Sequence, residues 1–230
     1  MKREVNIKDI TEDKLLSCND MAKVGCGDCK GCHSCCEGMG ESIVLDPYDV
    51  YNLTTGLQCD FPALLGDKVQ LNVVDGIILP NIAMTAGNEE RCHFLDAEGR
   101  CSIHSFRPGI CRLFPLGRIY ENGTFKYFVL SDECKKENRT KVKIKSFLGI
   151  PNIKDYEQFV TRWHYFLKKI EDIICRYMQE DGNETVIRDI NMWILNMFYL
   201  TSYAKENFFE DFYERLELAE KKFAEENYAK

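Results

Sequence analysis

Three features predict an α+β fold, with short β-hairpins and loops around a cysteine metal site followed by a C-terminal helical bundle. Five cysteines crowd between Cys26 and Cys36, interleaved with glycines. Short apolar runs then flank turn dipeptides between residues 69 and 130. Beyond Pro151 the apolar spacing changes to the helical period. The change sets an expected division into a cysteine-cluster metal-binding domain over residues 1–150 and a helical region over 151–230 packed on it.

Taken in order, Gly25, Gly27, Gly31, Gly38 and Gly40 oppose regular structure and favour a loop whose backbone can approach a ligand. Ser42 to Leu45 reads as a short strand. Asp46-Pro47 then marks a helix start, with an N-cap acid and proline at the first helical position, and Gly56 marks its end. Asp75-Gly76 predicts a tight hairpin between residues 69–74 and 77–80. Gly99 and Asn122-Gly123 predict turns in two further hairpins, 94–103 and 116–130. These elements are too short to bury much apolar surface, so another source of cohesion is expected. In the tail, Tyr156, Phe159, Val160, Trp163, Leu167, Ile170, Ile174 and Tyr177 share one helical face. Helices over about 184–203 and 208–224 complete the bundle, whose stripes read as core.

The 230 residues are 45% hydrophobic and 12% aromatic, enough for a real core. A net charge of −7 and a pI near 5.3 argue against general affinity for nucleic acid. The most apolar stretch, residues 192–200, carries Asn196 and is far short of a membrane span. The polar start MKREVNIKDITEDK has no apolar secretory region, so a cytoplasmic location is expected. Clustered cysteines in a reducing compartment read as ligands or catalysts more readily than as disulfides.

The first cluster is Cys26-Gly-Asp-Cys29-Lys-Gly-Cys32-His-Ser-Cys35-Cys36. Tandem CxxC spacing lets thiolates converge on a metal. On an extended backbone, Cys35 and Cys36 point to opposite sides and would serve different metal atoms. Cys26, Cys29, Cys32 and Cys36 reproduce the C-x2-C-x2-C-x3-C count of bacterial ferredoxins, with Glu37 where that run has proline. Downstream, Cys92, Cys101, Cys111 and Cys134 each fall near the end of a short predicted element. Arg107 and Arg112 flank Cys111 and are candidates for offsetting thiolate charge. Soft sulfur donors suit an iron–sulfur cluster, or alternatively zinc, and crowding in one segment favours the cluster.

Cys29-x2-Cys32-x2-Cys35-Cys36, Cys92-x-Phe94-Leu95, Cys101-Ser-Ile-His104, Arg107-Pro108, Cys111-Arg112-x-Phe114-Pro115 and Cys134 together resemble the YkgJ-like CxxCxxCC cysteine-cluster family. That resemblance covers about residues 26 to 135 and implies a zinc- or iron-chelating domain. Its implied ligands are Cys29, Cys32, Cys35, Cys36, Cys92, Cys101, Cys111 and Cys134, with Cys26 additional to the motif. His104 stands where relatives often carry tyrosine. His33 is open between ligand and loop residue, and His93 and His164 read as structural or exposed. Cys18, Cys59 and Cys175 match nothing, and Cys175 reads as a small core residue.

The leading expectation is a [4Fe–4S] protein with a redox or electron-transfer role. The basic run Lys135-Lys136-x2-Arg139-x-Lys141-x-Lys143-x-Lys145 is a docking candidate for an acidic protein partner. A structural zinc module that binds a partner is the alternative. The resemblance also implies a third and less favoured alternative, an enzyme related to the family's flagellin lysine N-methylases, although no glycine-rich strand–helix signature for a nucleotide-type cofactor is present.

Overall fold

The computed structural model describes residues 15–27, 32–86, 90–130, 133–179, 183–204 and 207–224. Three two-stranded antiparallel sheets precede a helical C-terminal region, the expected α+β class. The strands are β1 (Met21–Gly25), β2 (Val69–Val74), β3 (Ile77–Ile82), β4 (Leu116–Glu121), β5 (Thr124–Val129) and β6 (Thr140–Lys143). The helices are α1 (Pro47–Leu57), α2 (Gly109–Leu113), α3 (Ile144–Leu148), α4 (Ile153–Met178), α5 (Glu184–Leu195) and α6 (Phe208–Lys222).

Two hairpins follow their turn chemistry. Val74 pairs with Ile77 across Asp75 (φ 50°) and Gly76 (φ 83°). Glu121 pairs with Thr124 across Asn122 (φ 50°) and Gly123 (φ 76°). Positive φ at both central residues is the twist-matched turn that Asp-Gly and Asn-Gly favour. The third sheet joins distant segments, with Met21 opposite Lys143, Lys23 opposite Lys141 and a bulge before Gly25, which faces Thr140. The glycine-rich composition of residues 1–40 predicts no strand there. Alternating burial of Ala22 and Val24 explains why one forms.

Other local expectations are corrected. Residues 42–45 form only a single bridge, Val44 to Asn81, beside the β2–β3 hairpin. Residues 94–103 likewise hold one bridge, Leu95 to Cys101. Helix α1 runs through Gly56 and ends at Gln58, which takes the left-handed conformation itself. Gly56 serves packing instead, because a Cβ there would overlap the Phe106 ring. The expected 184–203 helix stops at Leu195, and a π-helical turn, Asn196–Leu200, follows. Arg215 of α6 donates to the carbonyls of Met197 (2.9 Å), Thr201 (2.7 Å) and Ser202 (2.7 Å), satisfying backbone acceptors that the helix end leaves open.

Helix α4 buries Tyr156, Phe159, Val160, Trp163, Phe166, Ile170, Ile173 and Ile174. Trp163 meets Phe198 at 4.9 Å between ring centroids, and Phe159 meets Phe212 at 4.6 Å. The hydrophobic core is continuous from Leu16 through Ile103 and Leu113 to Phe223. Several polar contacts tie the C-terminal helical region to the segments before it. The Tyr199 hydroxyl donates to the Leu45 carbonyl at 3.1 Å. Buried Asn191 accepts from the Ile78 N–H at 2.6 Å and donates to the Gly76 carbonyl at 3.2 Å. Cys175 is exposed on α4, one residue off the buried face, so it is not a core residue.

No helix among the described residues is long and apolar enough to cross a membrane.

Candidate metal centre

Backbone hydrogen bonds between irregular segments assemble the cysteines. Ser34–Cys36 is a 3-10 turn, closed by the Cys36 N–H donating to His33 O at 2.7 Å. Cys36 O accepts from the Cys92 N–H at 2.8 Å, and Glu90 O accepts from the Gly38 N–H at 2.9 Å. Glu37 braces the same junction, with its Oε1 at 3.4 Å from both Arg91 Nε and His33 Nε2. The Leu95 N–H donates to Cys92 O at 3.0 Å, and the Leu95–Cys101 bridge returns the chain so that Cys101 comes beside Cys92. Cys111 arrives on α2.

Cys35, Cys36, Cys92, Cys101 and Cys111 therefore share one electrostatic neighbourhood. Burial raises Cys92, with the charges of Cys101 and Cys35 adding to it and Lys68 opposing. Burial also raises Cys101, against the attraction of Arg107. Cys111 is pushed far up by burial first, then by Asp49 and three neighbouring cysteines. The vicinal pair divides sharply. The Cys36 thiol donates to Cys35 and, with Arg107, brings Cys35 down to about 6, while Cys36 is held protonated. The extended geometry expected for this pair is thus replaced by a turn in which the two thiols meet.

The remaining predicted residues are placed as follows. Cys26 directly follows β1, and Cys134 lies six residues before β6, the strand that pairs with β1. Both are half-buried, as is Cys32, whose sulfur lies 3.8 Å from Ser34 Oγ. Cys29 lies outside the described residues. Arg107 faces the thiols, and its Nη1 is 3.4 Å from His104 Nδ1. Arg112 turns to the backbone, donating from Nε to Arg107 O at 3.0 Å and from Nη2 to Ser105 O. It thereby braces the loop that carries Arg107. His33 lies beside Glu37, His93 is 3.7 Å from Asp67, and His164 stacks on Tyr120 at 3.7 Å.

Sequence reasoning missed two residues that act on this region. Lys68 lies over the Phe94 ring at 5.3 Å and attracts the Cys92 thiolate. Asp49 is 3% exposed and raises Cys111 across 62 positions of sequence. Its only local signal is the capping box it forms with Asp46.

Among the described residues, no three histidine, cysteine, aspartate or glutamate side chains are arranged to enclose a metal ion. The donor chemistry nevertheless suits a soft metal: five half-buried cysteines in one neighbourhood with an arginine facing them.

Residues 28–146 match the CxxCxxCC family, described as a "putative zinc- or iron-chelating domain". The matched span is more than half of the chain and contains every cysteine of the shared neighbourhood, so the protein belongs to this family of metal-chelating domains. Comparisons with curated proteins and with solved structures found no match.

Proposed function

We propose that the chain holds an iron–sulfur cluster of the [4Fe–4S] type and serves in electron transfer in the cytoplasm. The observation that supports this reading is the shared electrostatic neighbourhood of Cys35, Cys36, Cys92, Cys101 and Cys111, with Arg107 facing it. The ligands would be drawn from these five with Cys29, Cys32 and Cys134, and Cys26 as a further candidate. When bound, such a cluster supplies reversible one-electron chemistry. The chain's own part is to hold the sulfurs half-buried, to offset their negative charge through Arg107, and to present a docking face.

That face is the β1–β6 ribbon. Lys23 lies directly opposite Lys141, and Met21 lies opposite Lys143, with all four side chains exposed. Like charges opposed across a ladder are unfavourable, and an acidic partner protein would relieve them. The ribbon runs directly into Cys26, so a partner seated there lies next to the cysteine segment.

Anaerobic purification followed by visible absorption and parallel assay of iron, acid-labile sulfide and zinc tests the reading. Iron and sulfide in matching amounts, with reversible reduction seen by electron paramagnetic resonance, are expected. A colourless protein with stoichiometric zinc and no sulfide would replace it with the structural zinc module.

A further inference from the structure

Helix α2, which carries Cys111, has only five residues. A helix start leaves its first N–H groups without intrahelical acceptors. The residue in the capping position, Pro108, makes no side-chain cap. The missing acceptor comes from a different helix. Asp49 Oδ1 accepts from the Gly109 N–H at 2.7 Å, while its Oδ2 accepts from the Asp46 N–H at 3.1 Å. The carboxylate is 3% exposed, so little water competes for either bond.

The other side of α2 is equally constrained. A Cβ on Gly109 would overlap the Tyr156 hydroxyl of α4, and Arg118 Nη2 donates to that hydroxyl at 3.1 Å. At the far end, the Phe114 N–H donates to Ile110 O at 3.1 Å, and the Arg112 guanidinium is tied to the 105–107 loop. Asp49 therefore grips the start of α2, two residues before the thiol.

We propose that Asp49 is a positioning residue for the metal centre, fixing Cys111 by capping from α1 the short helix that presents it. This rests on the reading above that Cys111 is a ligand. Groups that orient ligands without touching the metal commonly govern affinity by about 10- to 100-fold.

The test uses the full chain as Asp49→Ala, Asp49→Leu and Asp49→Asn, with Asn191→Ala as a control for general loosening. Asp49→Leu keeps the pocket filled without an acceptor, and Asp49→Asn keeps one of the two acceptors without the charge. Amide hydrogen exchange over residues 109–113 is measured on metal-free protein, and cobalt(II) is titrated with its thiolate charge-transfer band as readout. Expected are faster exchange over 109–113 and cobalt affinity about 10-fold or more weaker in the Ala and Leu variants. Asp49→Asn, which can keep the Gly109 bond but not the Asp46 bond, should fall between wild type and the Ala and Leu variants in both, and Asn191→Ala should speed exchange near Ile78 instead. Wild-type exchange over 109–113 and an unaltered cobalt spectrum in Asp49→Leu would overturn the proposal. Faster exchange in Asp49→Leu alongside a wild-type protein that takes up no cobalt, zinc or iron would uphold the cap and overturn the metal reading.

Discussion

The Cys36 thiol donates to Cys35, and this contact makes one of two adjacent cysteines a thiolate and keeps the other a thiol. A hydrogen bond to the charged form lowers a pKa, and the donor is raised correspondingly. In metal-free protein, Cys35 should therefore alkylate with a midpoint near pH 6. Cys36→Ala removes the donor, and the midpoint should climb toward the ordinary thiol range near 8.5. Peptide mass spectrometry after pulsed iodoacetamide labelling follows this. A midpoint still near 6 in the variant would show that Arg107 or the backbone, and not Cys36, stabilises the thiolate.

Single Cys→Ser replacements should separate ligands from bystanders. Ser at 35, 36, 92, 101 or 111 is expected to lower bound metal, because each lies in the shared neighbourhood. Cys175→Ser should leave it unchanged, since that thiol is exposed on α4. Metal assayed by mass spectrometry after gel filtration decides the matter, and full occupancy in all five variants would remove them from the ligand set.

Gly109→Ala should destabilise by about 1–3 kcal/mol, the usual cost of forcing a methyl group into packed space. The obstruction is the Tyr156 hydroxyl, so Tyr156→Phe should recover part of the loss in the double variant. Thermal melts of the four proteins form the cycle. Strict additivity would mean that the two residues do not interfere.

Asn191→Ala leaves the buried Ile78 N–H and Gly76 carbonyl without their partner, at an expected cost of about 2–3 kcal/mol. For a chain of this size that is a fall in Tm of roughly 4–12 °C. Metal content should hold. An undiminished Tm would indicate that the hairpin has found other partners.

Stripping the metal with a chelator should expose amides in residues 32–36 and 90–113, which are held by scattered bonds between irregular segments. Helix α4 should keep its protection, because its buried aromatic face does not depend on sulfur ligation. Hydrogen exchange read by mass spectrometry tests this, and equal loss of protection in both regions would mean that the two unfold as one unit.

The sequence on its own was sufficient for features set by neighbours in the chain. Asp75-Gly76 and Asn122-Gly123 turn where their backbone preferences dictate, and the stripe from Tyr156 to Ile174 faces inward because helical periodicity is local. The cysteine motifs likewise carry the resemblance to the metal-chelating family that residues 28–146 match. Contacts between distant segments were settled only by the tertiary structure. Lys23 meets Lys141, Asp49 caps Gly109 and Cys36 joins Cys92 through bonds whose partners are separated by 50 residues or more, and no local preference encodes such pairings. Even adjacent Cys35 and Cys36 needed the fold, since a 3-10 turn set by downstream packing, not strand geometry, brings their sulfurs together. Residue type and spacing decide which chemistry is present. Burial, charge and long-range hydrogen bonds decide which cysteines meet and which of them carries the charge.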